Sequence, residues 1–244
     1  KNSRYLNAFL YGKKSFLKEA QITAKFIHAQ NIVTIYDVFS ANDTVYLVME
    51  YLQGDSVGRR MKKRQYKPYS EKEAAEIILP SMKALRSIHE SYVVHGDISP
   101  GNLICTKEGT VVLIDFGAAK YMTDKQPVLQ AAFLKKNYAA PEQYQGRVSP
   151  ASDIFALGKT LQILSGRRGL MFFLYPEFFG FLFRCTRKQE KYRYQNMASV
   201  RKILEKLGKR YRTVTWRKRF LEAVAAGVLI GILFLTAGLL KREE

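Results

Sequence analysis

Three oxygen-bearing side chains stand at intervals that suggest chemistry. His95-Gly96-Asp97-Ile98-Ser99-Pro100-Gly101-Asn102 places a carboxylate and an amide five residues apart, and Asp115-Phe116-Gly117 adds a second carboxylate eighteen residues after Asp97. Phosphoryl transfer needs one carboxylate to receive or orient the attacking hydroxyl, and oxygen ligands for the Mg²⁺ ions that neutralise nucleotide phosphates. Asp97 suits the first task. Asn102 and Asp115 suit the second, because hard cations prefer oxygen donors and a loop can bring both to one cluster. An isolated Asp-Phe-Gly is equally a strand-ending turn; H-x-D-x-x-x-x-N upstream at this interval makes it a candidate site. His89 and His95 read as packing or hydrogen-bonding groups, since positioning and charge neutralisation dominate this reaction.

The elements that must position these groups are legible in outline. Phe16, Ala20, Thr23 and Ile27 recur at helical spacing, predicting an amphipathic helix over Lys13 to Ala29. Ile32 to Phe39 and Thr44 to Tyr51 are β-branched and aromatic, joined by Ser40, Ala41, Asn42 and Asp43, which predicts an antiparallel hairpin. Ser70 and Glu73 form a capping box that opens a helix to about Ser91, with a bend expected at Pro80. Short apolar runs at Val93 to Val94, Leu103 to Cys105 and Val111 to Ile114 are separated by glycine-containing turns, and Ser152 to Ser165 reads as a helix. The chain is therefore mixed α and β without an internal repeat.

With 244 residues, 47% apolar and 25% charged, the composition fits one compact globular domain and excludes a disordered tail, a collagen repeat or a disulfide miniprotein. Forty basic against twenty-one acidic residues give a formal charge of +19, which draws the chain toward nucleic acid, anionic lipid or acidic partners. Cys105 and Cys185 lack metal-ligand spacing and fit a reduced, cytoplasmic setting. Phe220 to Leu240 has Glu222 as its one charge and as a helix would span roughly 30 Å, the thickness of a hydrocarbon core. Gly227 and Gly231 form a GxxxG suited to close helix packing, which leaves a homodimer open. Lys206, Lys209, Arg210, Arg212, Arg217, Lys218 and Arg219 precede the span, whereas the four residues after it balance two charges of each sign. This asymmetry predicts a single-pass membrane protein with its N-terminal side cytoplasmic. The basic run would lie against anionic headgroups, so the excess charge calls for no specific nucleic acid.

At the chemistry-bearing residues the sequence resembles the protein-kinase family, from about Leu10 to Leu207, with local detail most similar to bacterial Ser/Thr kinases. The resemblance implies an α+β, two-lobe fold: a partial small lobe at 1–52 and a mostly helical large lobe at 53–207. A basic juxtamembrane segment at 208–219, the transmembrane helix at 220–240 and a short tail at 241–244 complete the expected organisation. It implies ATP and Mg²⁺ as cofactors, Asp97 as the catalytic aspartate, and Asn102 and Asp115 as magnesium ligands. Glu19 matches the helix glutamate that pairs with the ATP-contacting lysine. Met49 matches the residue that borders the nucleotide before the hinge, Glu50 and Leu52 the hinge residues whose backbone bonds adenine, and Ile104 the floor of the adenine pocket. Ala140-Pro141-Glu142 matches the A-P-E that closes the activation segment, with Arg193 as ion partner of Glu142, and Asp153 matches the aspartate that braces the catalytic loop.

The departures from that pattern are specific. Only 18 residues precede Glu19, and they contain neither G-x-G-x-x-G nor V-A-I-K. With Lys1 at the start, the expectation is that N-terminal strands are missing from this chain, which should then bind ATP poorly and transfer little phosphate. Gly96 replaces an arginine that reads a phosphorylated activation loop. Ser99 stands where Ser/Thr kinases usually carry a lysine, and Lys135 falls near their threonine in the substrate-docking loop. About 25 residues separate the Ser152 to Ser165 helix from Arg193, so a docking helix should be shortened. The leading expectation is a membrane-tethered Ser/Thr protein kinase. The alternatives are a pseudokinase scaffold without turnover and a small-molecule phosphotransferase of the aminoglycoside or choline type, against which the A-P-E segment, Asp153 and Arg193 stand.

Overall fold

The computed structural model describes residues 2–123, 134–166 and 176–204. Two compact units divide the chain, residues 1–202 and 203–244. The expected segments at 208–219, 220–240 and 241–244 lie outside the described residues, as does 205–207 at the end of the expected large lobe. Among the described residues no helix is long and apolar enough to cross a membrane.

The first unit begins with α1, Asn2–Ala24. It starts eleven residues before the predicted helix and ends five before its predicted end: the apolar Phe9, Leu10 and Tyr11 of its earlier turns are exposed, and the spacing that begins at Phe16 does not extend to them. Ala20, Ile22, Thr23 and Phe26 are buried, whereas Ile27 is exposed. The helix has already ended at Ala24, so Ile27 no longer shares the phase of Ala20 and Thr23. Residues 2–24 forming one helix, no strand pair precedes Glu19 among the described residues.

Strands β1 (Ile35–Ala41) and β2 (Thr44–Met49) form the predicted antiparallel hairpin, with Ala41 facing Thr44. Asn42 and Asp43 turn with φ of 49° and 57°, the left-handed pair that a two-residue hairpin requires and that Asn and Asp tolerate. Ile32 and Val33, assigned to the hairpin by their β-branching, instead dock on a distant strand: Ile32 bridges Leu113 in parallel, and the Val33 amide donates to the Leu113 carbonyl at 3.0 Å. A single sequence cannot distinguish a neighbouring partner from a distant one for such a short run.

After β3 (Gly54–Ser56), Ser56 caps α2 (Val57–Lys63). Helix α3, Glu71–Glu90, opens at Ser70 with the complete capping box: Ser70 Oγ accepts the Glu73 amide and Glu73 returns a bond to the Ser70 amide. Its buried face carries Ile77, Ile78, Met82, Leu85 and Ile88, at the helical spacing that points one stripe inward. Strands β4 (Val93–Val94), β5 (Leu103–Thr106), β6 (Val111–Leu113) and β7 (Lys120–Tyr121) follow. They make two antiparallel sheets, ordered β3-β5-β6 and β4-β7. Helix α4, Pro150–Ser165, packs against α3 and against α5, Pro176–Cys185, burying Ile154, Leu157, Leu161 and Leu164. The result is a mixed α and β unit whose larger part is helical.

Candidate active site

The β5-β6 hairpin explains how residues thirteen apart meet. Leu103 pairs with Leu113, and the Ile114 amide donates to the Asn102 carbonyl at 3.0 Å, so Asn102 before β5 and Asp115 after β6 occupy the same end of the hairpin. On the other side of Asn102 a turn of 3₁₀ helix at Pro100–Asn102 folds the loop back. The Asn102 side-chain nitrogen thereby reaches both the Asp97 carbonyl (2.8 Å) and its carboxylate Oδ2 (2.9 Å). That contact fixes the orientation of the Asp97 carboxylate and uses only the amide nitrogen of Asn102, so that its Oδ1 remains an oxygen donor on the same loop.

The loop itself is braced from below. Asp153, fully buried on α4, accepts the Gly96 amide on Oδ1 at 2.8 Å and the His95 amide on Oδ2 at 2.9 Å, with His89 Nε2 also 2.8 Å from Oδ2. Burial alone would raise its pKa, but the hydrogen bond and charge of His89, with His95 and the Gly96 amide, outweigh it and hold the carboxyl below its ordinary range. Gly96 adopts a φ of 80°, and a Cβ there would lie 2.8 Å from the Ala118 carbonyl oxygen, so glycine lets the loop pass this close to the following turn. His95 is buried, and burial holds its pKa below the ordinary value. It is therefore neutral near pH 7, its Nδ1 accepting the Asp97 amide at 3.3 Å.

Asp115 sits at φ 66°, its exposed carboxylate accepting the Gly117 amide on Oδ1 at 3.2 Å, and the Phe116 between them is buried. Phe116 stacks on Phe26 (5.8 Å between ring centres) and meets the edge of His95 at 4.8 Å, joining the turn after α1 to the His95–Asn102 loop. Glu19 of α1 lies on the other side of this turn. A Cβ on Gly117 would be 3.2 Å from Asp115 Oδ1 and 3.4 Å from Glu19 Oε2, so the two carboxylates flank one residue. Burial, then the Asp115 charge, pushes the Glu19 pKa up to about 7, only partly offset by a bond from the Phe116 amide. No cation forms an ion pair with Glu19 among the described residues.

The expected nucleotide-binding positions are spread along β2, the connection after it and β5. Met49 ends β2 and is 45% exposed. Glu50 is tied to Thr34 in both directions, its amide donating to the Thr34 carbonyl at 2.9 Å and its carboxylate accepting the Thr34 amide at 2.6 Å. Leu52 follows, half-buried, and Ile104 sits half-buried on β5 between Ser56 and Val112.

Glu142 and Arg193 form a buried, two-point ion pair, and Ser152 Oγ donates to Glu142 Oε1 at 2.7 Å. Burial would raise the Glu142 pKa, but the Arg193 and Ser152 bonds hold it below the ordinary value. Two further contacts were not legible in sequence. Gln143 accepts the Ala140 amide and donates to the Gly96 carbonyl, both at 2.8 Å. Lys135 Nζ reaches Asp97 Oδ2 at 2.6 Å, Ser99 Oγ at 3.1 Å and Asn102 Oδ1 at 3.3 Å. The sequence signal for the latter was an uncharged Ser99 together with a lysine 36 residues on, near where the resemblance expects a threonine. A small pocket open to solvent lies beside this cluster, lined by Asp97, Ile98, Lys135 and Tyr138.

Asn102 Oδ1 and the Asp115 carboxylate are hard oxygen donors at one end of one hairpin, a donor set that fits Mg²⁺ better than a softer metal. Among the described residues no group of three or more His, Cys, Asp or Glu side chains is placed to hold a metal.

A carboxylate fixed by an asparagine, a second carboxylate one hairpin turn away and a brace from a central helix form the kind of arrangement that phosphoryl transfer calls for. The protein kinase domain profile matches residues 4–172, more than half of the chain. The chain belongs to the protein kinase domain family. Relatives include the Serine/threonine-protein kinases drp72 of Corynebacterium efficiens, 34% identical over 162 residues, covering 63% of this chain and 30% of that protein. Serine/threonine-protein kinase PrkC of Bacillus subtilis is 33% identical over 157 residues, covering 63% and 24%. Serine/threonine-protein kinase PknA of Mycobacterium tuberculosis is 34% identical over 162 residues, covering 63% and 37%. The match thus spans about a quarter to a little over a third of each relative's length.

Proposed function

We propose that this chain acts as a Ser/Thr protein kinase, moving the γ-phosphoryl group of ATP to a protein hydroxyl. The observation that carries the reading is the Asp97 carboxylate held at 2.9 Å by Asn102 beside an open cavity. The acceptor hydroxyl approaches through that cavity and is oriented by Asp97, which takes its proton as the oxygen bonds to the γ-phosphorus and the bond to the ADP oxygen breaks. Asn102 and Asp115 would hold Mg²⁺, which when bound neutralises charge on the nucleotide phosphates. Asp153 keeps the loop from shifting, and positioning of this kind supplies much of the barrier reduction in such reactions. Glu50, Leu52 and Ile104 would line the adenine side, and Met49 its inner edge.

Glu19, which has no cation partner among the described residues, favours a second reading, a nucleotide-binding scaffold with little turnover. A single experiment on the 244-residue chain separates them: ATP labelled at the γ-position, Mg²⁺ and a generic basic protein acceptor. Slow transfer above the level of Asp97→Asn supports the kinase reading; Mg²⁺-dependent nucleotide binding with transfer no faster than that variant supports the scaffold.

We also propose that residues 220–240 anchor the protein in a membrane, with the kinase domain on the cytoplasmic side. This rests on the length and apolarity of that sequence and on the basic residues that precede it.

A further inference from the structure

Charge develops on the equatorial oxygens of a phosphoryl group in transfer, and a fixed cation beside the receiving carboxylate stabilises it. The loop from His95 to Asn102 contains no lysine or arginine, and burial keeps His95 neutral. The cation comes instead from 38 residues downstream of Asp97, where Lys135 lies on the stretch leading into Ala140-Pro141-Glu142. We propose that Lys135 is the phosphate-contacting cation of this site, delivered by that stretch to the place a lysine at position 99 would otherwise fill. The proposal rests on the phosphotransferase reading above.

Three observations support it. The Lys135 ammonium has three protons, and Asp97 Oδ2, Ser99 Oγ and Asn102 Oδ1 accept them at 2.6, 3.1 and 3.3 Å, all from one loop. The serine at 99 suits this arrangement, because a hydroxyl accepts from the ammonium where a second lysine would repel it. Finally, with side chains 41% and 20% exposed, the Lys135–Asp97 pair adds little to stability, so packing gives no reason for its placement. The same exposure leaves the ammonium head able to exchange one of its three acceptors for an incoming phosphate oxygen. Gln143 seats the stretch on the loop through the Gly96 carbonyl while the Glu142–Arg193 pair holds the stretch from behind, so the site holds its cation when that stretch is seated.

An acyl-phosphate derivative of ATP tests this on the full chain without relying on turnover. A neutral lysine amine beside the phosphates attacks the acyl carbonyl, the bond to the phosphate oxygen breaks, an amide forms on Nζ, ATP leaves and the amine proton passes to solvent. With Mg²⁺ present, peptide mapping should find Lys135 acylated and protected by excess ATP. Lys135→Thr should lose the label and weaken ATP protection at any remaining labelled site by about tenfold, the loss expected for one charged hydrogen bond. In Ser99→Lys/Lys135→Thr the label should move to position 99, which a structural role for Lys135 would not produce. ATP-protected label at other lysines with none at 135 overturns the proposal and leaves the nucleotide-binding reading standing. Absence of ATP-protected label anywhere overturns both.

Discussion

Arg193 grips Glu142 at two points, Nη1 to Oε1 at 2.6 Å and Nη2 to Oε2 at 2.8 Å, with both side chains buried. All five guanidinium protons are used, the others going to the Arg187, Lys188 and Ala151 carbonyls. Removing one partner leaves the other charge buried and unpaired. Arg193→Met should therefore cost about 3–5 kcal/mol and lower the melting temperature by roughly 10 °C, as read by calorimetry. Glu142→Gln/Arg193→Met should recover part of the loss. A fall of under about 3 °C for the single variant would mean that the pair is not needed to hold the A-P-E turn.

Asp97→Asn should reduce phosphoryl transfer about 100-fold or more, the usual contribution of a positioned base, with the melting temperature unchanged. Asp115→Asn should reduce it comparably and weaken the dependence on Mg²⁺. Asparagine is the suitable replacement at 115 because it tolerates the φ of 66° found there. Transfer rates measured with γ-labelled ATP decide both; wild-type rates in either variant would remove that residue from the mechanism.

Glu19 makes stability depend on pH with a defined sign. Its pKa rises from 4.5 to about 7 on folding, so between those values the folded chain keeps a proton that the unfolded chain has released. Stability is fully present below about pH 4.5 and declines as pH rises through about 7. Glu19→Gln removes the ionisation while keeping an acceptor for the Phe116 amide. It should melt within about 1 °C of the parent at pH 5 and roughly 2–4 °C above it at pH 8. A variant that melts lower at pH 8 would show that the ionised carboxylate has found a cation.

The full chain should co-float with vesicles of mixed zwitterionic and anionic lipid and stay bound in high salt. Deleting residues 217–244 should leave binding that salt removes, because Lys206 to Arg212 retain only headgroup attraction, about 1 kcal/mol per cation near the surface. Salt-sensitive flotation of the full chain would count against a spanning segment.

What the sequence made legible was local. The Ser70–Glu73 capping box lies within four residues, the Asn42-Asp43 turn within two, and each carries its own geometric signature. The short strands at 93–94, 103–106 and 111–113 were readable as apolar runs between turns. Ile32 and Val33 were misassigned because β-branching marks a strand without saying which partner it finds, here Leu113. The start of α1 escaped notice because its first turn carries no acidic residue and its apolar Phe9, Leu10 and Tyr11 are consecutive and exposed, which marks no inward stripe. At the site, motif spacing pointed to Asp97, Asn102 and Asp115. The approach of Lys135 across 36 residues to Ser99 depends on how the two stretches are seated, which no spacing rule encodes.

The Gln143 side chain draws together two stretches with opposite ends of one amide: its oxygen takes the Ala140 proton and its nitrogen gives one to Gly96. Glutamate has the same shape and half of that vocabulary, since its ionised oxygens would confront the Gly96 carbonyl with nothing to offer. A change of NH₂ to O at residue 143 would turn a clasp into a wedge, prising the stretch that leads into Ala140-Pro141-Glu142 off the loop that carries Asp97 and taking Lys135 with it.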